Sequence, residues 1–375
     1  MNHIYRFCAP GRTELGGNHT DHQHGCVLAA AIDLEITAQV KLNEADIIRV
    51  CSHGYAPFEI RLSDLSCREE EKGTTAALVR GICAEFSRLG AKLQGFDMNI
   101  CSQVLPGSGL SSSAAFEVLV GTVCNDLFFE SKLTPEEIAQ IGQYAENCYF
   151  GKPCGLMDQM ACAVGGLVFM DFGQGTPQVE RLDFDFSQMG YALCIIDSGA
   201  DHADLTGEYA AITRELKQLC GFFGKEYLRQ VPEADFLAAL PRLRGQVADR
   251  AILRAMHVYK ENRRVIDQRD ALAVGNIRRY LELVSESGRS SWMYLQNIYP
   301  AGGVQHQPVA LALALCDALL DGSGAFRVHG GGFAGTVQAY VPLDRLDSFV
   351  AGMESVLGIG CCKTVKVRKK GGTQL

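Results

Sequence analysis

Residues 106–116 read PGSGLSSSAAF, two glycines and three serines between an apolar run and a helical pattern. Gly107 and Gly109 lack a Cβ, so the backbone can take positive φ and its amides can crowd together. Ser111, Ser112 and Ser113 supply caps for a helix that starts there, and the free amides of its first turn carry the positive end of the helix dipole. The stretch therefore predicts a loop from strand to helix that holds an anion, with phosphate as the natural guest. It is not a Walker A loop, because no Gly-Lys-Ser/Thr follows the glycines, and it lacks the GxGxxG spacing of a dinucleotide fold. A flexible turn before a well-capped helix is the other reading of the same residues.

The flanks support the strand–loop–helix order. FDMNICSQV from Phe96 alternates as a strand does, and Ala114, Val118, Leu119, Val123 and Leu127 mark one helical face after the loop. A second helix opens at Thr134, with Glu137 at capping-box spacing and Pro135 in the first turn, and carries Glu146 near its end. Asp158 follows among small and apolar neighbours, where a carboxylate needs an explanation. Further upstream, residues 1–12 run apolar into APGR, read as a turn that ends in one arginine. GRTELGGNHTDHQHG (Gly11 to Gly25) crowds His19, His22, His24, Asp21 and Glu14 among glycines, which suits a site loop better than a connector. Cys26 to Leu42 is apolar and then alternating, a long strand or a strand pair; strands are also expected at Ile47 to Cys51, Pro57 to Leu62 and Gly166 to Phe172, and a helix at Thr74 to Leu89. The polar run 173–189 marks a boundary between a domain of residues 1–185 and one of 186–375. In the second, a strand from Tyr191 precedes a set of helices, and FRVHGGGFAGTVQAYVP sets a triple glycine between two β-like runs. This mixed order predicts an α+β fold of two domains rather than a doubly wound sheet.

Bulk properties narrow the function. At 375 residues two domains are expected, and 47% hydrophobic with 21% charged residues is ordinary for a globular chain with a large core. A net charge of −8 offers no general field for nucleic acid or an anionic membrane, so the phosphate must belong to a small ligand gripped locally. The start MNHIYRF has no charged-then-apolar leader, and the longest apolar run, near 308–319, is too short to cross a bilayer, so a cytoplasmic location is expected. Fifteen cysteines without a C-x-x-C pair read as buried small residues in a reducing compartment, not as a zinc site. The oligomeric state stays open.

Three separated pieces, GRTELGGNHTDH at Gly11, PGSGLSSSAA at Pro106 and HGGGFAGTVQAY at His329, together resemble the GHMP small-molecule kinases. The first is similar to the galactokinase signature G-R-x-N-L-x-G-E-H-T-D-Y, and GLMDQ at Gly155 to Gln159 is similar to that group's G-I-M-D-Q. The resemblance implies two mixed α/β domains with the site in the cleft between them, ATP and Mg2+ as cofactors, and a small sugar phosphorylated at its anomeric hydroxyl. It implies that Asp158 takes the hydroxyl proton and that Arg12 holds this carboxylate ionised and offsets the moving phosphoryl charge. It assigns Gly107, Ser108, Gly109, Leu110, Ser111 and Ser112 to the nucleotide, Ser113 and Glu146 to the metal, and Asn18, His19, Asp21, Gly155 and Tyr209 to the sugar.

Two positions depart from the signature: Asn18 stands where it has glutamate, and His22 where it has tyrosine. Galactose is the substrate the resemblance implies; because asparagine is neutral where a glutamate would repel a 6-carboxylate, and plant galacturonokinases look altered at this pair, galacturonic acid or another galactose-derived sugar is the alternative. SSWMYLQNIYPAG from Ser290 has no counterpart in the family pattern. A sensor of sugar and ATP without catalysis is the alternative from another class, opposed by the presence of both Asp158 and Arg12.

Overall fold

The computed structural model describes residues 3–104, 109–200 and 205–375. Its organising strand is the 17-residue β2 (Cys26–Leu42), which pairs antiparallel with β1 (Tyr5–Gly16) along one edge. The run of buried residues at Cys26–Ile32 explains how its other edge is shared: the first part pairs with β6 (Leu167–Asp171) and the second, alternating part with β5 (Phe96–Ser102). β3 (Ile47–Ser52) joins β5 in parallel and β4 (Phe58–Arg61) closes that end, while β7 (Gln178–Leu182) pairs with β6. APGR is not a turn. β1 runs through it with a register shift between Pro10 and Arg12, and the bulge places Arg12 inside the strand.

Helices α1 (Thr75–Arg88), α2 (Ser112–Phe128), α3 (Pro135–Tyr144) and α4 (Met157–Val164) cover this sheet. Thr74 caps α1 by accepting from Ala77 N, and Thr134 with Glu137 forms the expected capping box on α3. After α3 the chain widens into a π-helical turn, Ala145–Phe150, which carries Glu146. Such turns recur at functional sites because they re-aim one side chain out of the helical series.

The second sheet is antiparallel, in the order β11 (Cys362–Val365), β8 (Tyr191–Asp197), β10 (Thr336–Pro342), β9 (Ala325–Val328). Around it and toward the first sheet lie α5 (Thr206–Phe222), α6 (Glu233–Leu243), α7 (Asp249–Ala273), α8 (Ile277–Ser290), α9 (Pro308–Leu320) and α10 (Leu346–Leu357). Val265, Leu272 and Tyr280 from α7 and α8 enter the same core as the first sheet. The chain then returns: Arg368 N donates to Ala31 O, and β12 (Thr373–Gln374) pairs with β1. The C-terminal segment thus belongs to the first sheet, which a division at residues 185 and 186 does not anticipate, and β7 of that sheet lies within the polar run expected to be a linker. Among the described residues all fifteen cysteines are free; Cys51, Cys67, Cys101 and Cys148 are exposed, contrary to the expectation of uniform burial. No helix among the described residues is long and apolar enough to cross a membrane.

Candidate active site

β1, the end of the glycine loop and the start of α4 converge on one carboxylate. Arg12 Nε lies 2.7 Å from Asp158 Oδ1 and Nη2 lies 2.8 Å from Oδ2, a bidentate pair between residues 146 positions apart. Arg12 Nη1 donates to Gly109 O at 2.5 Å, and Arg12 N donates to Leu110 O at 3.1 Å, so the same residue holds the loop to the strand. Gly109 sits at φ +70°, and a Cβ there would lie 2.6 Å from Thr336 Oγ1. Both constraints demand glycine. Ser111, at φ +55°, does not cap α2; its hydroxyl donates to Asp158 Oδ2 instead. Burial opposes charge on Asp158, but Arg12, Ser111 and Lys152 outweigh it and hold the carboxyl below the usual aspartate range. Gly107 and Ser108 lie outside the described residues. Ser112 is the first residue of α2 and half-buried.

Ser113, one residue into α2, turns its Oγ to within 3.5 Å of Glu146 Oε1 on the π-helical turn. Gln159 donates from one Nε2 to Glu146 Oε2 at 2.8 Å and to Glu117 Oε2 at 2.9 Å, fixing the first carboxylate's direction. Burial and the nearby Glu146 raise the Glu117 pKa well above the usual range. A hydroxyl and a hard carboxylate oxygen fit a Mg2+ ion that keeps waters and takes phosphate oxygens. Among the described residues no group of three His, Cys, Asp or Glu side chains is placed to hold a metal, so water and, when the nucleotide is bound, phosphate oxygens would complete the shell of an ion held by Ser113 and Glu146.

The loop 17–25 forms the other wall. Asp21 lies over Gly155, where any Cβ would collide with its carboxylate. Burial raises the Asp21 pKa and Asp158 adds to this, while the His22 amide and His19 work the other way. His19 Nε2 donates to Gly331 O at 2.9 Å, so His22 Nε2 must donate to His19 Nδ1 at 3.2 Å and Gln23 Nε2 to His22 Nδ1 at 3.3 Å. Burial and His19 pull the His22 pKa down to about 3, consistent with this uncharged chain of donors. Tyr209 donates to Gly332 O at 2.9 Å and packs its ring against Gly331, and burial pushes its phenol up to about 12. The triple glycine thus both connects β9 to β10 and brings backbone to this wall.

Asn18 is placed differently from the expectation. It is 0% exposed, its Nδ2 donates to Gly330 O and to Glu14 Oε1, its Oδ1 accepts from Asn297 Nδ2 at 2.8 Å, and His257 Nε2 donates to its carbonyl at 3.0 Å. The side chain is occupied by the protein rather than turned to open space. The signature has asparagine at the position of Glu14 and glutamate at that of Asn18, so this chain exchanges the two types, and the relocated carboxylate pairs with the buried Arg327. Comparing Glu14 with the signature was the signal that would have revealed the exchange.

His329 also escaped the sequence reading. It is 2% exposed, accepts on Nε2 from Glu14 N and from Thr13 Oγ1 at 3.0 Å, and donates from Nδ1 to Thr336 Oγ1 at 2.8 Å. It clamps the residue next to Arg12 to the wall behind Gly109. Lys152 and Glu117 were likewise missed, and no motif marks them; Gln159 was given no role although it closes the GLMDQ motif.

Residues 77–166 match the GHMP kinases N terminal domain, and residues 2–42 match the galactokinase galactose-binding signature. The galactokinase of Streptomyces coelicolor is 31% identical over 366 residues, covering 96% of this chain and 90% of that protein. That of Glaesserella parasuis is 31% identical over 351 residues, covering 91% and 86%. The solved structure of Lactococcus lactis galactokinase complexed with galactose superposes with a TM-score of 0.83 at 26% identity, over 99% of this chain and 95% of that one. A mevalonate kinase structure, at 14% identity and a TM-score of 0.70 over 97% and 99%, shares the fold.

Proposed function

Since this chain belongs to the galactokinases of the GHMP kinase family, we propose that it transfers the γ-phosphoryl group of ATP to the anomeric hydroxyl of galactose with Asp158 as the proton acceptor. It is an ATP-dependent sugar kinase, and galactose is its substrate. The observation that supports the catalytic assignment is the bidentate Arg12–Asp158 pair with Ser111 of the phosphate loop on the same carboxylate. A carboxylate kept ionised in this way can receive the hydroxyl proton at any pH near neutrality, while the arginine offsets charge on the phosphoryl group as it moves. Ser113 and Glu146 would hold Mg2+, which when bound neutralises phosphate charge. Asp21 would orient the sugar over Gly155, with His19 and Tyr209 holding the glycine wall beside it, and Gly109 to Ser112 would present amides and hydroxyls to the phosphates.

The test is ADP release from ATP and Mg2+ with galactose, glucose, galacturonate or no sugar. We expect release that depends on galactose, with galacturonate poorer by orders of magnitude because Asn18 is engaged with Gly330, Glu14 and Asn297. Faster turnover of galacturonate would refute the galactose assignment, and binding without ADP release would support the sensor reading.

Gly155→Ala is expected to raise the KM for galactose about tenfold, since the added methyl displaces the Asp21 carboxylate and one lost charged hydrogen bond is worth roughly 1.5–3 kcal/mol. Steady-state kinetics with each substrate varied should show the KM for ATP little changed; an unchanged galactose KM would remove Asp21 from the sugar wall.

A further inference from the structure

Lys152 lies on the segment between the π-helical turn and α4, outside every motif that marks the site. Its ammonium is 3.1 Å from Glu146 Oε1, the oxygen that Ser113 Oγ faces. The partners are unequally held. Glu146 is 4% exposed and fixed by Gln159, whereas the lysine side chain is 62% exposed on a flexible four-carbon stem. An ion pair with one partner in solvent contributes little to stability. The lysine thus brings a positive charge directly onto the carboxylate that faces Ser113.

The charge count of the site turns on this residue. Arg12 and Lys152 carry +2 against −2 on Glu146 and Asp158; without the lysine these groups would present a net −1 to an anionic nucleotide. A lysine on an exposed stem also fits phosphate as a mobile point charge, in contrast to the rigid fork of Arg12.

We propose that Lys152 is a phosphate-binding residue that occupies the metal carboxylate until the nucleotide arrives: its ammonium rests on Glu146 in the free enzyme and moves to a phosphate oxygen when Mg2+ and ATP enter. This rests on the reading of Glu146 as the metal-binding carboxylate. It predicts opposite effects of one substitution on two ligands, which a plain surface ion pair would not produce.

The experiment compares the full-length wild type with Lys152→Met, Lys152→Arg and Glu146→Gln. Mn2+ affinity without nucleotide is read by electron paramagnetic resonance, ATP affinity in EDTA by calorimetry, and KM and kcat by steady-state kinetics. Lys152→Met should bind Mn2+ about three- to tenfold more tightly, since the competing cation is gone, and metal-free ATP about tenfold more weakly. Its KM for ATP should rise about tenfold with the KM for galactose unchanged, and Lys152→Arg should recover most of the ATP affinity. Metal-free ATP affinity and KM for ATP equal to wild type in Lys152→Met overturn the phosphate role. Unchanged Mn2+ affinity in that variant overturns the competition. Glu146→Gln should abolish Mn2+ binding; if it does not, the metal assignment itself fails, and with it the competition, while the ATP measurements still judge the phosphate role separately.

Discussion

Asp158→Asn is expected to leave the protein folded and to lower kcat by about 10²–10⁴-fold, the range over which a positioned general base contributes. Asparagine keeps the shape and one acceptor for Arg12 but cannot take a proton, and its amide opposes the donors of Arg12 that now meet Oδ1 and Oδ2. The KM values for ATP and galactose should stay within a fewfold of wild type, because the phosphate loop, Asp21 and His19 are untouched. Steady-state kinetics together with a thermal melt separate lost chemistry from lost fold. Turnover near the native rate in a folded variant would show that Asp158 is not the proton acceptor.

Arg12→Met should cost about 10²–10³-fold in kcat, as expected for removing one preorganised charge stabiliser, and it should also weaken the fold. Removing one partner of a buried pair costs about 3–5 kcal/mol. Here the Asp158 side chain keeps 31% of its surface, so the loss should fall nearer 2–3 kcal/mol, read from denaturant midpoints. The pH dependence gives a sharper signature. In the wild type the Asp158 pKa lies below the ordinary value of about 3.9, so the pair stabilises the fold fully above that pH and the contribution is lost as the pH falls through the depressed folded value. The wild-type rate should therefore show no acidic limb from Asp158 between about pH 5 and 8. Without Arg12, burial raises the carboxyl, and the residual activity of Arg12→Met should fall as the pH drops through the new value. Arg12→Lys should retain the wild-type pH profile with a reduced kcat, since it keeps the charge and loses the fork. A flat profile in Arg12→Met would mean that Arg12 does not set the state of Asp158.

Elements whose signals are local were legible. The capping box at Thr134 and Glu137, the helix expected from Thr74 and the alternating second half of β2 rest on contacts within a few residues, and each forms as its pattern requires. APGR misled because proline and glycine ordinarily end strands; tolerance of both comes from the bulge and from Leu110, whose carbonyl accepts from Arg12. β7 and β12 were hidden for a related reason. Each is short and mostly exposed, and its pairing energy comes from a sheet edge supplied elsewhere in the chain.

By itself the sequence determined the kinase family and singled out the glycine loop, Arg12, Asp158 and Glu146 as candidates, because glycine-dependent backbone shapes and the order of motifs are written in residue type. Only the tertiary structure decided what those residues do to one another. Ser111 turned from helix cap to Asp158 ligand, Asn18 became a buried tie to Asn297 and Gly330, and Lys152 came to rest on Glu146. A polar side chain satisfies its hydrogen bonds and charge with whatever the fold brings within about 3 Å. Between residues 146 or 279 positions apart, no local pattern specifies that partner.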